Sequence, residues 1–440
     1  MLQHQTTDPA PQDGWLQQQL ALQQSLGHST GGFWWTDLPA ELRLLILKEL
    51  DELGNLIPAR YGRKLRAKWA AVSREWYCFF EEPMFRHERL SSLKDQHVFF
   101  NELMAGPQRI YRRKFVSSIE LYVPLGWHDT NENFTRNMTH FLHSLSKWGP
   151  LTEATQHGLS LELGFQLVFR DPQLDFDDHV TDEITLPKVP WVKSLSFKHS
   201  LEPLSPNALR ILLGCFSGLR CLEYHRFEFP KQLRDQITTT VFDNLPSTVE
   251  VVSYSLNDMP SGTTDPRESP VTSSVVAASR RARVFLVAFA VDATDFFRVH
   301  ALSRPSPARC WPHLSHLSLT SKKALTKSSG SDMANQLIIS AAKAAELMPK
   351  LEVLELHYFN SRRENFFFRY HVFDGYATLT IQTTWDFRLG GAAVGAWEEM
   401  RHERGIYTPL RVYSSIEAKT NWSATLAPMS LDRHSKPIVV

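Results

Sequence analysis

Apolar residues along this chain follow two rhythms that take turns. One recurs every three or four positions, as a helix face does; the other alternates in twos, as a half-buried strand does. Lys94 to Met104 reads as a helix and Val116 to Val123 as a strand, with Ile119, Leu121 and Val123 on one face. Phe134, Met138, Phe141, Leu142, Leu145 and Trp148 form a helical stripe, ended by Gly149-Pro150. Leu159, Leu161 and Leu163 then alternate, and Pro190 to Phe197 gives a further strand. Ser205 is placed to cap a helix opened by Pro206. Gln232 to Phe242, Val271 to Ala282 and a stretch capped by Asp332 and ending at Met348 read as later helices. Ser255 to Pro270, Arg298 to Ala308 and Lys322 to Ser331 read as loops or linker.

The strands share a signature. Leu219-x-x-Leu222-x-Tyr224, Val249-x-x-Val252-x-Tyr254, Leu314-x-x-Leu317-x-Leu319 and Leu351-x-x-Leu354-x-Leu356 repeat one spacing. They recur at roughly 30 to 40 residues, somewhat above the usual leucine-rich-repeat range, and without the Asn of regular repeats. One strand and one helix cannot bury their apolar faces alone, whereas a stack of such pairs shares a core. The expected fold class is therefore mixed α/β, an irregular leucine-rich-repeat-like solenoid of alternating helices and strands over residues 93–410. An ordinary α/β domain is the alternative. Near the end, Phe366-Phe367-Phe368, an alternating Ala377 to Phe387 and a helical Val394 to His402 read as an edge cap on the last repeat. Residues 411–440 are expected to form a disordered tail.

Residues 1–32 are Gln-rich and short of core formers, and read as a solvated tail with at most a short helix at Trp15 to Leu26. The stretch from Trp34 to Phe85 is different. Pro39 suits a helix start, and Glu41 suits the first turn. On the helix that follows, Leu42, Leu45, Ile46, Leu50 and Leu53 form one stripe, while Leu44 and Leu47 fall on the opposite side. Two stripes require two covers: either a fully buried core helix, or one face for this chain and one for a partner's groove. Leu65, Trp69, Val72, Trp76 and Phe79 recur helically until Pro83. So small and so apolar a unit needs a covering partner.

Leu38-Pro39-x-Glu41, the apolar helix to Leu50, then Val72-Ser73-Arg74-Glu75-Trp76 resembles an F-box. That family's pattern is Leu-Pro-x-Glu, an Ile/Leu-rich helix and Val-Cys-Lys-Arg-Trp. The surroundings are similar to F-box proteins of the fungal type. Here Ser73 stands in the Cys position, Glu75 replaces a basic residue, and Gly54 to Lys64 forms a longer loop. The resemblance implies a small helical F-box domain, over residues 33–92. It implies docking on the Skp-type adaptor of a cullin–RING ubiquitin ligase. The repeats would hold a protein substrate for ubiquitination, with no chemistry performed by the chain itself. The adaptor-binding residues expected on this basis are Leu38, Pro39, Leu44, Leu47, Val72 and Trp76. A protein-interaction scaffold outside any ligase is the competing expectation.

Composition adds little that is specific. Hydrophobic residues make up 42% and charged residues 22%, as in ordinary globular proteins. A net charge of +1 gives no electrostatic case for nucleic-acid or membrane binding. Cys78, Cys215, Cys221 and Cys310 have no metal spacing and read as buried thiols. Without a signal peptide's apolar region or a spanning run, the expected location is cytoplasmic or nuclear. Asn133, Asn137 and Asn421 begin chance glycosylation triplets. No phosphate-binding Gly loop, Gly-x-Ser-x-Gly or His-Glu-x-x-His occurs, so no enzyme and no cofactor or metal is expected. His140 and His143 share a helix face without a nearby acid, and read as a surface or half-buried pair. Arg109 to Lys114 reads as a basic turn or a weak nuclear signal.

Overall fold

The computed structural model describes residues 35–57, 59–106, 109–125, 130–148, 158–167, 174–176, 186–197, 204–226, 231–256, 270–302, 311–360 and 364–416. The expected N-terminal tail lies outside them, as do residues 417–440. The chain divides into two compact units, Met1–Met84 and Phe85–Val440.

Among its described residues the first unit holds three α-helices: α1 (Ala40–Leu56), α2 (Ala59–Ala70) and α3 (Arg74–Phe85). The expected long loop from Gly54 to Lys64 is instead the tight junction of α1 with α2. Gly54 and Gly62 make this junction possible. A Cβ added to Gly62 would lie 2.5 Å from the Gly54 carbonyl oxygen, so the two backbones meet where neither carries a side chain. Arg66 locks the crossing. Its Nε donates to Asp51 Oδ1 at 2.6 Å, and its Nη2 to the Asp51 carbonyl at 3.1 Å and Asn55 Oδ1 at 2.5 Å. Ser73 Oγ accepts the Trp76 N–H at 3.3 Å, so the serine caps α3. Pro83 does not stop this helix, which continues to Phe85. Leu47, Ala70 and Phe80 form the buried core, with Trp35, Leu50, Trp69 and Trp76 packed against it.

Among the described residues, the second unit is built on one sheet of twelve strands in sequential order. These are β1 (His87–Leu90), β2 (Ser118–Leu125), β3 (Leu159–Leu167), β4 (Val192–Phe197), β5 (Cys221–Arg226), β6 (Val251–Leu256), β7 (Val284–Asp292), β8 (His316–Thr320), β9 (Val353–Asn360), β10 (Glu364–Phe373), β11 (Tyr376–Thr383) and β12 (Arg411–Ile416). From β1 to β9 every pairing is parallel. Between the strands come α4 (Leu93–His97, continued by a π-helical turn Val98–Leu103), α5 (Thr130–Ser146), α6 (Pro206–Cys215), α7 (Lys231–Asp243), α8 (Pro270–Ser279), α9 (Ala293–Leu302), α10 (Gly330–Ala345) and α11 (Gly391–Glu403). From α6 to α11 each helix packs on the next, forming the second layer. The fold is mixed α/β and solenoid-like, with helices and strands alternating.

The strand signature now has a physical meaning. Its first apolar residue, as in Leu219, Leu314 and Leu351, is buried in the turn before the strand. The second and third residues build two ladders across the sheet. Leu161, Leu195, Leu222, Val252, Phe285, Leu317 and Leu354 are register partners in one. Leu163, Phe197, Tyr224, Tyr254, Val287, Leu319 and Leu356 are partners in the other. Tyr224 and Tyr254 stack at 5.1 Å, and Tyr254 Oη meets Thr238 Oγ1 of α7 at 2.9 Å, which satisfies a buried hydroxyl.

Four expectations for the second unit are corrected. The region called a loop from Arg298 begins as α9, because Asp292 Oδ1 accepts the Thr294 N–H at 3.0 Å and caps that helix. Lys322 to Ser331 is no free linker. The same Asp292 carboxylate takes the Lys322 and Lys323 N–H groups at 2.9 and 3.0 Å and the Ser321 hydroxyl at 2.7 Å, while Ala324 and Leu325 are buried. Asp332 lies within the first turn of α10 and does not cap it. Residues 411–416 are not tail but β12, paired in parallel with β11.

The aromatic C-terminal run forms a hairpin of β10 with β11, antiparallel to β9. Its two-residue turn is Asp374-Gly375, both with positive φ (51° and 76°), the geometry that suits the strands' twist. Trp397 of α11 stacks on Tyr370 at 4.5 Å and covers this hairpin.

Candidate functional site

The first unit offers an unpartnered apolar surface. Positions 42, 45, 46 and 53 lie on one side of α1 by helical periodicity. All four are exposed, Leu45 to 54%, and Leu56 at the helix end to 82%. Sequence periodicity located this stripe, and the choice of Leu44 and Leu47 for the partner placed it inward. The expected partner-facing residue Leu47 is instead 2% exposed, in the core. The reason is the helix crossing: α2 can approach α1 only where Gly54 leaves room, and Leu47 and Leu50 lie on that side.

The other expected site residues separate into two groups. Pro39, Leu44 and Val72 are exposed and Leu38 is half-buried. Trp76 is half-buried and belongs to the interior aromatic set, 5.1 Å from Trp35 and 6.0 Å from Phe80. Glu75, the acidic departure, has an internal role. Its Oε2 accepts Trp35 Nε1–H at 2.7 Å and its Oε1 lies 3.2 Å from Arg43 Nε, so it ties α3 to α1 and to the entering chain. An exposed pair of this kind contributes about 1 kcal/mol or less, and it orients more than it stabilises.

The second unit gathers buried polar groups on the sheet face opposite the ladders. Glu355 of β9 has Arg369 of β10 as its register partner, with Nε–Oε1 at 3.2 Å. Burial pushes the Glu355 carboxyl up, while Arg369 and a hydrogen bond from Ser318 pull it down. His357, two residues on, is buried and stacked against Phe359 at 5.2 Å; burial pushes its imidazole down to about 4. Ser318 Oγ lies 3.5 Å from His357 Nδ1. Here the hydroxyl stands between the acid and the imidazole. A nucleophilic triad needs the imidazole between hydroxyl and acid. The cluster therefore reads as packing that satisfies buried polar groups.

Other sequence candidates take structural places. His140 is half-buried with Nδ1 at 2.9 Å from Gln96 Oε1. Arg113, in the basic run, donates to the carbonyls of Met104 at 3.0 Å and Trp148 at 3.3 Å, groups that end helical segments. Cys215 is buried, and burial pushes its thiol up to about 11. Cys78 is exposed, against the expectation of buried thiols. Among the described residues, no group of three or more His, Cys, Asp or Glu is placed to hold a metal ion, and no helix is long and apolar enough to cross a membrane.

Residues 228–428 match the model of a family of unknown function, DUF6546. The match runs from α7 to β12, under half of the chain. No curated protein matches the chain.

Proposed function

We propose that this chain is the substrate-receptor subunit of a Skp–cullin–F-box ubiquitin ligase. The first unit docks on the Skp-type adaptor, and the solenoid holds a protein substrate for ubiquitination. The chain itself forms and breaks no bonds. It acts by proximity, keeping a target lysine near the charged conjugating enzyme.

The observation that carries this reading is the exposure of Leu42, Leu45, Ile46 and Leu53 on one face of α1 in the folded chain. A helix that keeps four aliphatic side chains at the solvent is suited to another protein's groove. The Leu-Pro-x-Glu entry and Val-Ser-Arg-Glu-Trp segment bracket that helix in the family's order. Leu44 and Val72 add exposed apolar surface elsewhere on the unit, and Trp76 supports it from inside.

The test is affinity of the purified full-length chain for a purified Skp-type adaptor. Wild type should bind, and Leu45→Asp with Ile46→Asp should weaken binding more than about tenfold, since each aliphatic burial is worth roughly 1.5–3 kcal/mol. Leu38→Ala with Pro39→Ala should weaken it without unfolding the repeats. No binding by wild type would overturn the proposal.

A further inference from the structure

Among the described residues β12 ends the sheet, paired with β11 on one side. Its residue Val412 extends the ladder that passes through Leu354, Tyr370 and Leu379. Leu379 is fully buried, yet Val412 is 43% exposed, and on the opposite face Tyr413 is 53% exposed. Arg411, Ser414 and Ser415 are exposed as well. A sheet edge presents unpaired N–H and C=O groups that another strand can take, and the end of a repeat stack needs covering.

We propose that β12 pairs antiparallel with β12 of a second copy of this chain, about a two-fold axis, so that two sheets join into one. Side chains alternate along a strand, so ladders continue across the joint only if the axis passes through a residue and not between two. Centring the axis on Tyr413 uses the strand well. Tyr413 then faces its own copy, Val412 faces Ser414, and Arg411 faces Ser415. The tyrosines form a cross-strand aromatic pair, and the arginine, held 5.0 Å over the Tyr376 ring, meets a hydroxyl and not a like charge. The other way to extend the sheet is β12 against β1 of the next copy, in parallel. Continuing the register rows sets Arg411 beside His87 and leaves the stack open at both ends. Closure favours the two-fold joint.

The test is sedimentation of the full-length chain at micromolar concentration, where wild type should run as a dimer. Tyr413→Lys and Tyr413→Glu each place like charges across the axis. Each variant alone should be monomeric, with the dissociation constant raised at least about tenfold. Tyr413 lies at the solvent, so both variants should keep the wild-type circular dichroism. Mixing the two in equal amounts should restore the dimer. A monomeric wild type, single variants that dimerise normally, or a mixture that stays monomeric would each overturn the proposal. So would open-ended assembly that lengthens with concentration, which would select the β12–β1 joint.

Discussion

Replacing His357 with Gln should remove most of one component of the protein's acid sensitivity. An imidazole in the unfolded chain titrates near 6.5, and burial against Phe359 holds the folded one down to about 4. Between these values the unfolded state binds the proton and the folded state does not. Stability from this group is therefore full above 6.5 and is lost as pH falls towards 4. At roughly 1.4 kcal/mol per pH unit, that interval is worth about 3 kcal/mol. Glu355 works in the opposite sense. Its raised folded titration gives stability that is present below its ordinary 4.5 and fades as pH rises through the folded value. His316 and His371 are also held down by burial, and so add to the wild-type slope in the same sense as His357. Comparing wild type with His357→Gln cancels these shared contributions. Urea unfolding of the full chain, followed by circular dichroism at pH 7.5 and 4.5, gives the readout. The fall in stability between the two pH values should be about 2–3 kcal/mol smaller in the variant. An unchanged fall would refute the assignment of a buried, neutral imidazole.

Two further substitutions test the parts of the fold that sequence reading missed. Gly62→Ala places a methyl 2.5 Å from the Gly54 carbonyl oxygen and should destabilise the first unit by about 1–3 kcal/mol, lowering its thermal midpoint; an unaltered melt would show that α1 and α2 do not cross there. Asp292→Asn sets an amide against the backbone N–H groups of Lys322 and Lys323 and should cost about 3 kcal/mol or more in a urea titration. A loss within error would mean that Asp292 is not the hub of that turn.

Much of the solenoid was legible in the sequence because burial on one face of a strand forces a period of two. The spacing in Leu351-x-x-Leu354-x-Leu356 identifies the turn residue and both ladder positions without any coordinates. Ser205 was legible too, since a serine before a proline at a helix start has one local task, and its Oγ accepts the Ala208 N–H at 2.9 Å. These are local rules, and a local rule needs only neighbouring residues.

What the sequence left open depends on contacts between distant positions. Periodicity found two stripes on α1 but could not say which one the chain covers. The choice rests on Gly54, Gly62 and Arg66, which let α2 approach along the Leu47 side and leave Leu45 and Ile46 at the solvent. Asp292 shows no role in the sequence until Ser321, Lys322 and Lys323 arrive from the end of the neighbouring strand β8 to occupy its oxygens. Arg411–Ile416 looks like tail because the exposed side chains of Arg411 to Ser415 carry no core pattern; only the register with β11 makes the segment a strand, and among the described residues the edge of the sheet. Sequence determined the elements and their inward faces where one cover sufficed. Tertiary structure decided which surfaces remain uncovered, because that depends on which helices and strands can come close enough to bury one another.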